Sequence, residues 1–196
     1  MPRAITILTD NFADWETALF NASARYYFGF DVRYAAPQGQ ALLSSGGLLV
    51  TPQLAIEDID LDGLDVLLVC GGPAWQSAGA PEIGALLAAA QQRGIVLAGI
   101  CDGTRVLAQA GVLDKVRHTS NGAANLLETG YAGAALYQDV PWAVADDGIV
   151  TAPGTAPVSF TREVLRSLGI DDDNLASYLA MHGAEHGQAS RAPLVA

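Results

Sequence analysis

Short apolar runs alternate along the chain with longer segments of helical periodicity. The apolar runs cover residues 4–8, 31–36, 65–70, 95–101 and 149–152, with turn residues beside them. Such runs are typical of strands that are buried on both faces of a parallel sheet. The helical segments cover residues 14–28, 82–93, 156–168 and 173–181. This alternation predicts an α/β fold in which helices cover both faces of a mostly parallel sheet, a three-layer α/β/α sandwich.

The remaining segments predict one inserted hairpin and one tail. Residues 42–51 carry Ser44-Ser45-Gly46-Gly47 at their centre, which favours a small hairpin. Residues 1–186 are long enough for a single core, and no repeat or linker divides them. From residue 187 onward the composition predicts a poorly ordered C-terminal tail.

The charge balance excludes some classes of partner. The chain has 196 residues, with 21 acidic against 10 basic side chains and a formal net charge of -11. This is the wrong sign for binding nucleic acid or an anionic membrane. No apolar run is long enough to span a bilayer, and the first residues do not resemble a secretory signal. We therefore expect a soluble, cytoplasmic protein, in which the cysteines Cys70 and Cys101 remain free thiols.

The chemistry of the chain centres on Cys101. The segment Gly99-Ile100-Cys101-Asp102-Gly103 has the spacing of a nucleophile elbow, with cysteine in the place of serine. It lies between a predicted strand and a predicted helix, so the thiol should stand at the carboxyl edge of the sheet. The helix N-terminus favours negative charge there by only about 0.3 to 1 kcal/mol, so another hydrogen-bond donor is needed to activate the thiol.

Two further motifs accompany this elbow. Asp14-Trp15-Glu16 follows the first strand, and Gly71-Gly72-Pro73 follows a later one. Together with the segment from Thr151 to Pro157, they resemble the ThiJ/PfpI family from Ala4 to about Leu168. The resemblance implies a class I glutamine amidotransferase-like domain with a flavodoxin-like sheet, a catalytic cysteine, no cofactor, and a homodimer.

The resemblance also implies roles for residues around Cys101. Glu16 should hydrogen-bond to the sulfur, and the backbone N–H groups of Gly72 and Asp102 should form an oxyanion pocket. Because an ionised Glu16 beside a thiolate would raise both pKa values, we expect Glu16 to be protonated and to donate its hydrogen. This hypothesis predicts a raised pKa for Glu16 and a lowered pKa for Cys101.

This sequence departs from the family pattern at two positions, which limits the activities and catalytic residues that the resemblance implies. Peptidase members have a histidine directly after the cysteine, where this chain has Asp102, which makes proteolysis doubtful. Other members place a histidine near the cysteine from the strand after the elbow helix. The matching segment, residues 116–121, offers His118 as a third catalytic residue. A register shift of one residue would turn His118 to the other face, so both orientations stay open.

For several other residues, the sequence allows either a structural or a functional role. Cys70 is interpreted as core filler, although redox pairing with Cys101 is an alternative. Trp15 and Trp75 flank the site in sequence and form either a pocket wall or ordinary packing. The segment His182-Gly183-Ala184-Glu185-His186 spells a zinc-peptidase motif, but its glycines weaken the helix and no third ligand is evident. We therefore expect no metal.

The leading hypothesis is a cofactor-free enzyme in which the Cys101 thiolate attacks a small electrophilic carbon. The resemblance implies amidase-type hydrolase, glyoxalase or hydratase activity on a small-molecule substrate. The rival hypothesis is a redox sensor or stress-protective protein in which Cys101 is oxidised without turnover.

Overall fold

The computed structural model describes residues 1–189, which form nine strands and six α-helices. The strands are β1 (Arg3–Ile7), β2 (Asp31–Ala36), β3 (Leu42–Leu43), β4 (Leu49–Val50), β5 (Leu54–Ala55), β6 (Val66–Val69), β7 (Val96–Ile100), β8 (Val144–Asp146) and β9 (Ile149–Ala152). The helices are α1 (Asp14–Tyr26), α2 (Gly84–Gln92), α3 (Gly103–Gln109), α4 (Ala123–Leu127), α5 (Pro157–Ser167) and α6 (Asp173–Ala189).

Seven of the strands form one sheet in the order β5-β2-β1-β6-β7-β9-β8. Every neighbouring pair in it is parallel except β8 and β9. Because β1 lies between β2 and β6, the chain fills the sheet outward in both directions from its middle. The carboxyl ends of β1, β6 and β7 therefore meet at one edge, which is where ligands bind in this kind of sheet.

Side chains from alternate strand positions pack into two separate cores. In β6, Leu67 and Val69 face the layer formed by α2 and α3, whereas Val66 and Leu68 face α1 and α5. All four side chains are fully buried. This is the three-layer arrangement that the apolar runs predicted, and β6 and β7 have no polar side chain because both of their faces are covered.

The structure also differs from the sequence prediction in five places. The strands β5 and β8 and the helix α4 were not predicted, since each has too few residues to show a period. The segment after α3 is not a strand, because only an isolated bridge joins His118 to Tyr137. The helix α6 continues to Ala189, beyond its predicted end at residue 181. Residues 190–196, the rest of the predicted tail, lie outside the described residues.

The predicted hairpin is present as β3 and β4, which form a separate antiparallel pair. It packs against the start of α1, where Gly46 donates its backbone N–H to Asp14 at 2.8 Å. None of the helices within residues 1–189 is long and apolar enough to cross a membrane.

Candidate active site

Cys101 occupies a strained turn between β7 and α3. Its φ angle is +57°, a left-handed conformation that residues with side chains rarely adopt. The turn is tight enough that a Cβ atom on Gly103 would collide with the carbonyl oxygen of Val69. Cys101 is partly exposed at the carboxyl edge of the sheet. The nucleophile-elbow geometry is therefore confirmed.

Glu16 lies in the first turns of α1 and is fully buried, with 0% of its surface exposed. Its two carboxyl oxygens have different surroundings. Oε2 accepts a hydrogen bond from the backbone N–H of Gly71 at 2.7 Å and lies 3.9 Å from the sulfur of Cys70. Oε1 has no hydrogen-bond partner of good geometry among the described residues. A buried carboxyl oxygen without a partner is costly, so this atom is available for proton exchange.

Glu16 and Cys101 converge at the backbone of Gly154, in the loop between β9 and α5. A Cβ atom on Gly154 would lie 2.9 Å from Glu16 Oε1 and 3.0 Å from Cys101 Sγ. Only a residue without a side chain leaves room for both groups. The partnerless oxygen of Glu16 and the thiol therefore face the same backbone position, and the hydrogen bond between them that the resemblance implied stays a prediction.

Burial raises the pKa of both groups. The pKa of Glu16 rises from 4.5 to about 7, although hydrogen bonds with Cys101 and Gly71 act in the opposite direction. The pKa of Cys101 rises from 9.0 to about 12, because burial and the neighbouring carboxylate outweigh the hydrogen bond from Asn121. The raised pKa of Glu16 is confirmed, but the lowered pKa expected for Cys101 is wrong. The sequence argument counted the hydrogen-bond donors to the sulfur, above all a protonated Glu16, and omitted the cost of burying the thiolate.

Asn121 is the residue that reaches Cys101 from the segment after α3. Its Nδ2 group donates a hydrogen bond to Sγ at 3.1 Å, and its Oδ1 accepts the backbone N–H of Gly154 at 2.9 Å. Since a backbone N–H can only donate, this second bond fixes which end of the amide faces the sulfur. Sequence reasoning named this segment but did not select Asn121.

His118, offered as a third catalytic residue with its orientation open, does not contact Cys101. Its Nδ1 bonds to the carbonyl oxygen of Val116 at 2.8 Å, and its Nε2 bonds to the hydroxyl of Tyr131 at 3.0 Å. The ring is fully buried and packs edge-on against Tyr131 and Tyr137. Both nitrogens are therefore engaged within the fold. The segment bends instead of continuing as a strand, and it presents Asn121 at the place expected for His118.

The predicted oxyanion donors flank the elbow. Gly72 follows β6, and Asp102 directly precedes α3. Neither backbone N–H has a hydrogen-bond acceptor among the described residues. The Asp102 carboxylate points elsewhere and accepts a hydrogen bond from Gln76 at 3.0 Å. These two N–H groups thus suit an oxyanion pocket, a role that stays a prediction.

Comparison with known proteins places the chain in a family. The model of the DJ-1/PfpI family matches residues 2–167. The chain belongs to the DJ-1/PfpI family. It is 30% identical over 180 residues to a Bacillus subtilis protein named uncharacterized protease YoaZ, which covers 87% of this chain and 85% of that protein. It is 27% identical over 143 residues to the glutathione-independent glyoxalase DJR-1.2 of Caenorhabditis elegans, covering 71% and 74% of the two chains.

Solved structures agree with this assignment. The DJ-1 superfamily protein Atu0886 from Agrobacterium tumefaciens superposes with a TM-score of 0.92 at 41% identity, covering 95% of this chain and 100% of that chain. A thiJ/pfpI family protein from Bacillus anthracis gives a TM-score of 0.83 at 29% identity, covering 92% and 89%. The predicted family and its flavodoxin-like α/β fold are confirmed.

The two tryptophans of this DJ-1/PfpI protein have different positions. Trp15 is 56% exposed, and its indole N–H bonds to the carbonyl oxygen of Gly154 at 2.9 Å. It therefore lies at the rim of the Cys101 site. Trp75 is buried in the core beneath α2 and α3, and its N–H bonds to the carbonyl oxygen of Cys70 at 2.8 Å. Of the two, Trp15 has the place of a pocket wall, whereas Trp75 packs in the core.

The second thiol, Cys70, and the histidine motif in α6 are not part of the elbow. Cys70 is fully buried with Leu8, Phe12, Ala36 and Leu42, as its interpretation as core filler requires. His182 packs edge-on against Tyr178 with ring centroids 4.7 Å apart. The side chains of residues 185 and 186 are outside the described set. Among the described side chains, no three His, Cys, Asp or Glu residues converge to hold a metal ion.

Proposed function

We propose that this protein is a cofactor-free enzyme in which Cys101 attacks a small electrophilic carbon, and that α-oxoaldehydes are the substrate class to test first. The observation that carries the proposal is the meeting of Cys101 Sγ and Glu16 Oε1 at the backbone of Gly154. A thiol, an acid–base group and two free N–H groups are what carbonyl addition requires.

Glu16 serves as the general base for Cys101 in this proposal. The thiol keeps its proton at neutral pH, because its own pKa is raised to about 12. The pKa of Glu16, about 7, suits proton transfer at physiological pH. The carboxylate takes the thiol proton as the sulfur bonds to the aldehyde carbon. The negative charge moves to the aldehyde oxygen, where Gly72 and Asp102 donate hydrogen bonds. The proton then passes from Glu16 to that oxygen and completes the hemithioacetal.

The same carboxylate can complete the conversion. Glu16 removes the proton from the carbon attached to sulfur and returns it to the adjacent carbonyl carbon, while the hydroxyl proton on the first carbon moves to the oxygen of the second. The product is a thioester of an α-hydroxy acid, and water cleaves it to the free acid and the Cys101 thiol. No electron leaves or enters overall, so the reaction needs no external oxidant or reductant.

Amide hydrolysis is the second candidate, because the Bacillus subtilis relative is named a protease. This reaction must also protonate a departing amine, and His118 is engaged with Val116 and Tyr131. Glu16 alone would have to act as both base and acid. Aldehyde addition has no leaving group to protonate, which is why we rank it first.

A redox sensor is the alternative from a different class. Cys101 is partly exposed, and Asn121 donates a hydrogen bond to its sulfur, which would also support an oxidised sulfur. A sensor would react once with peroxide and would not turn over carbonyl substrates. The two functions therefore separate in one assay.

That assay follows the loss of methylglyoxal or phenylglyoxal and the formation of the α-hydroxy acid. We expect saturable turnover that Cys101→Ala and Glu16→Gln abolish and that Cys70→Ala retains. Turnover of a peptide or amide panel instead would favour the hydrolase. If neither panel is turned over and dilute peroxide oxidises Cys101 stoichiometrically, the redox-sensor hypothesis would replace the enzyme hypothesis.

We also propose a homodimer located in the cytoplasm, with no nucleic-acid or membrane partner. Light scattering coupled to size exclusion measures the assembly. A monomer at micromolar concentration would contradict the dimer.

A further inference from the structure

The carbonyl oxygen of Cys101 accepts two hydrogen bonds from Thr104, in the first turn of α3. The Thr104 hydroxyl donates to it at 2.6 Å, and the Thr104 backbone N–H donates at 3.1 Å. A hydroxyl that bonds to a carbonyl oxygen of the preceding turn is common in helices. Here the carbonyl belongs to the residue that we propose as the nucleophile, so the bond acts at the candidate active site.

The Thr104 hydroxyl also contacts a second buried hydroxyl. The hydroxyl oxygens of Thr104 and Ser120 are 2.7 Å apart, and Asn125 donates its Nδ2 group to the Ser120 oxygen at 2.9 Å. Thr104 is fully buried, and Ser120 is 3% exposed. Thr104 and Ser120, the hydroxyl pair, therefore form a hydrogen-bonded polar contact inside the fold.

The direction of each bond follows from the hydrogens that are available. A carbonyl oxygen can only accept, so the single hydroxyl hydrogen of Thr104 points to Cys101. The hydrogen between the two hydroxyls then comes from Ser120, whose oxygen accepts from the Asn125 amide. The bonds run in one direction, from Asn125 through the hydroxyl pair to the Cys101 carbonyl, and each donor strengthens the next one.

The Cys101 carbonyl shares one planar peptide group with the backbone N–H of Asp102. In a trans peptide the C=O and N–H bonds point in opposite directions, so fixing the oxygen also fixes the direction of the N–H. A donor to the oxygen polarises the group and makes its N–H a stronger donor. The Asp102 N–H has no acceptor among the described residues, so it is free to bind a substrate oxygen.

We propose that Thr104 and Ser120 are positioning residues, which orient and polarise the peptide group between Cys101 and Asp102 so that its N–H donates to the oxyanion. This inference rests on the proposed addition of Cys101 to a carbonyl carbon. The hydroxyl pair acts as negative charge develops on the substrate oxygen. It therefore affects kcat and leaves the reactivity of the thiol itself unchanged.

The first test removes the Thr104 hydroxyl and follows two reactions of Cys101. Thr104→Val should lower kcat for the α-oxoaldehyde about tenfold and leave KM within about twofold, because an oxyanion donor acts mainly in the transition state. Alkylation by iodoacetamide displaces iodide and forms no oxyanion, so its rate should stay within about twofold. Thr104→Ser keeps the hydroxyl and should retain at least about half of kcat. Equal losses in turnover and alkylation would assign Thr104 to the fold and contradict the proposal.

Thr161→Val is the matched control for this substitution. Thr161 is fully buried in α5, and its hydroxyl bonds to the carbonyl oxygen of Pro157 at 2.8 Å. The same change therefore removes the same kind of bond from a different helix. It should lower the melting temperature and leave kcat unchanged. An equal loss of kcat in Thr161→Val would attribute the effect of Thr104→Val to general destabilisation and overturn the assigned role.

NMR tests the polarised peptide group without any substrate. Loss of the donor in Thr104→Val should move the ¹³C signal of the Cys101 carbonyl and the ¹⁵N signal of Asp102 upfield. Ser120→Ala should move both signals in the same direction by a smaller amount, because it weakens the Thr104 donor without removing it. Thr161→Val should leave both signals in place. Signals that do not move in Thr104→Val would overturn the proposal.

These measurements also separate the positioning role from the proposed function. If the natural sequence turns over α-oxoaldehydes and Thr104→Val keeps full kcat, the positioning role alone is wrong. If the two signals move upfield but the natural sequence turns over neither aldehydes nor amides, the proposed function fails. The positioning role is then contradicted as well, because no oxyanion forms for the Asp102 N–H to bind.

Discussion

The ends of β6 and β7 each carry a cysteine at the same edge of the sheet, but the two cysteines differ in burial and in backbone conformation. Cys70 at the end of β6 is fully buried, and its sulfur lies 3.5 Å from the carbonyl oxygen of Ala13. Cys101 at the end of β7 has a φ angle of +57° and is partly exposed. Burial raises the pKa of both thiols. The backbone turn, and not the residue type or a low pKa, distinguishes Cys101, the position that we propose as the nucleophile.

Glu16 lies between these two thiols, and its two carboxyl oxygens have different surroundings. Its Oε2 faces Cys70 and is already bound by the N–H of Gly71. Its Oε1 has no partner of good geometry within the described part of the chain and lies beside Cys101. One carboxyl group thus has a hydrogen-bonded oxygen at the end of β6 and, at the end of β7, the oxygen that we propose as the base.

The largest expected effect is on turnover. Cys101→Ala should reduce kcat/KM for the α-oxoaldehyde by at least about a thousandfold, since no other thiol can reach the substrate. Cys70→Ala should retain most of the activity and lose about 1 kcal/mol of stability, as for a small buried truncation. Loss of activity in both variants, with both folded, would mean that the two thiols act together.

The next effect is the pH dependence of stability. The folded protein holds the Glu16 proton up to about pH 7, whereas the unfolded chain releases it near 4.5. The folded state therefore binds more protons between these values, and its stability falls as pH rises through that range. The free energy at stake is on the order of 3 kcal/mol, present in full below pH 4.5 and lost above about pH 7.

Denaturant unfolding between pH 4 and pH 8 measures this contribution. Glu16→Gln removes the titrating group, so the variant should gain stability relative to the natural sequence as pH rises. Parallel stability curves for the two proteins across this range would show that Glu16 titrates normally.

A smaller effect tests the meeting point of Glu16 and Cys101. Gly154→Ala places a methyl group within 3.0 Å of Cys101 Sγ and should slow turnover on the order of tenfold to a hundredfold. Gly84→Ala is the matched control, since a Cβ atom there has no neighbour within 4 Å. If the two alanine variants are equally active, Gly154 does not shape the site.

The smallest effect distinguishes Asn121 from His118. Asn121→Asp keeps the acceptor for the N–H of Gly154 but replaces the donor to Cys101 with a negative charge. It should slow alkylation of Cys101 about tenfold at neutral pH. His118→Asn should lower the melting temperature with little change in that rate, because His118 is bonded within the fold. Slower alkylation in His118→Asn, with an unchanged rate in Asn121→Asp, would show that His118 and not Asn121 acts on Cys101.

The contrast between the strand ends also shows what sequence could reveal. The buried parallel strands and the elbow were predictable, because apolar runs and the glycines around Cys101 leave local signals, whereas the short strands β5 and β8 do not. Glu16 was found through its motif, since an isolated glutamate in a helix carries no such signal. Asn121 was missed because the segment after α3 bends, so the strand alternation used to judge His118 does not apply there. The raised pKa of Cys101 depends on burial by distant segments, which no local pattern encodes.

The most direct test of the account is the pH dependence of iodoacetamide alkylation at Cys101, read by mass spectrometry with buried Cys70 as the internal reference. The account predicts that the rate rises with an apparent pKa near 7 as Glu16 ionises, and that Glu16→Gln abolishes this rise because glutamine cannot accept the thiol proton. A Glu16→Gln protein that alkylates as fast at pH 7 as the natural sequence would contradict the general-base role of Glu16.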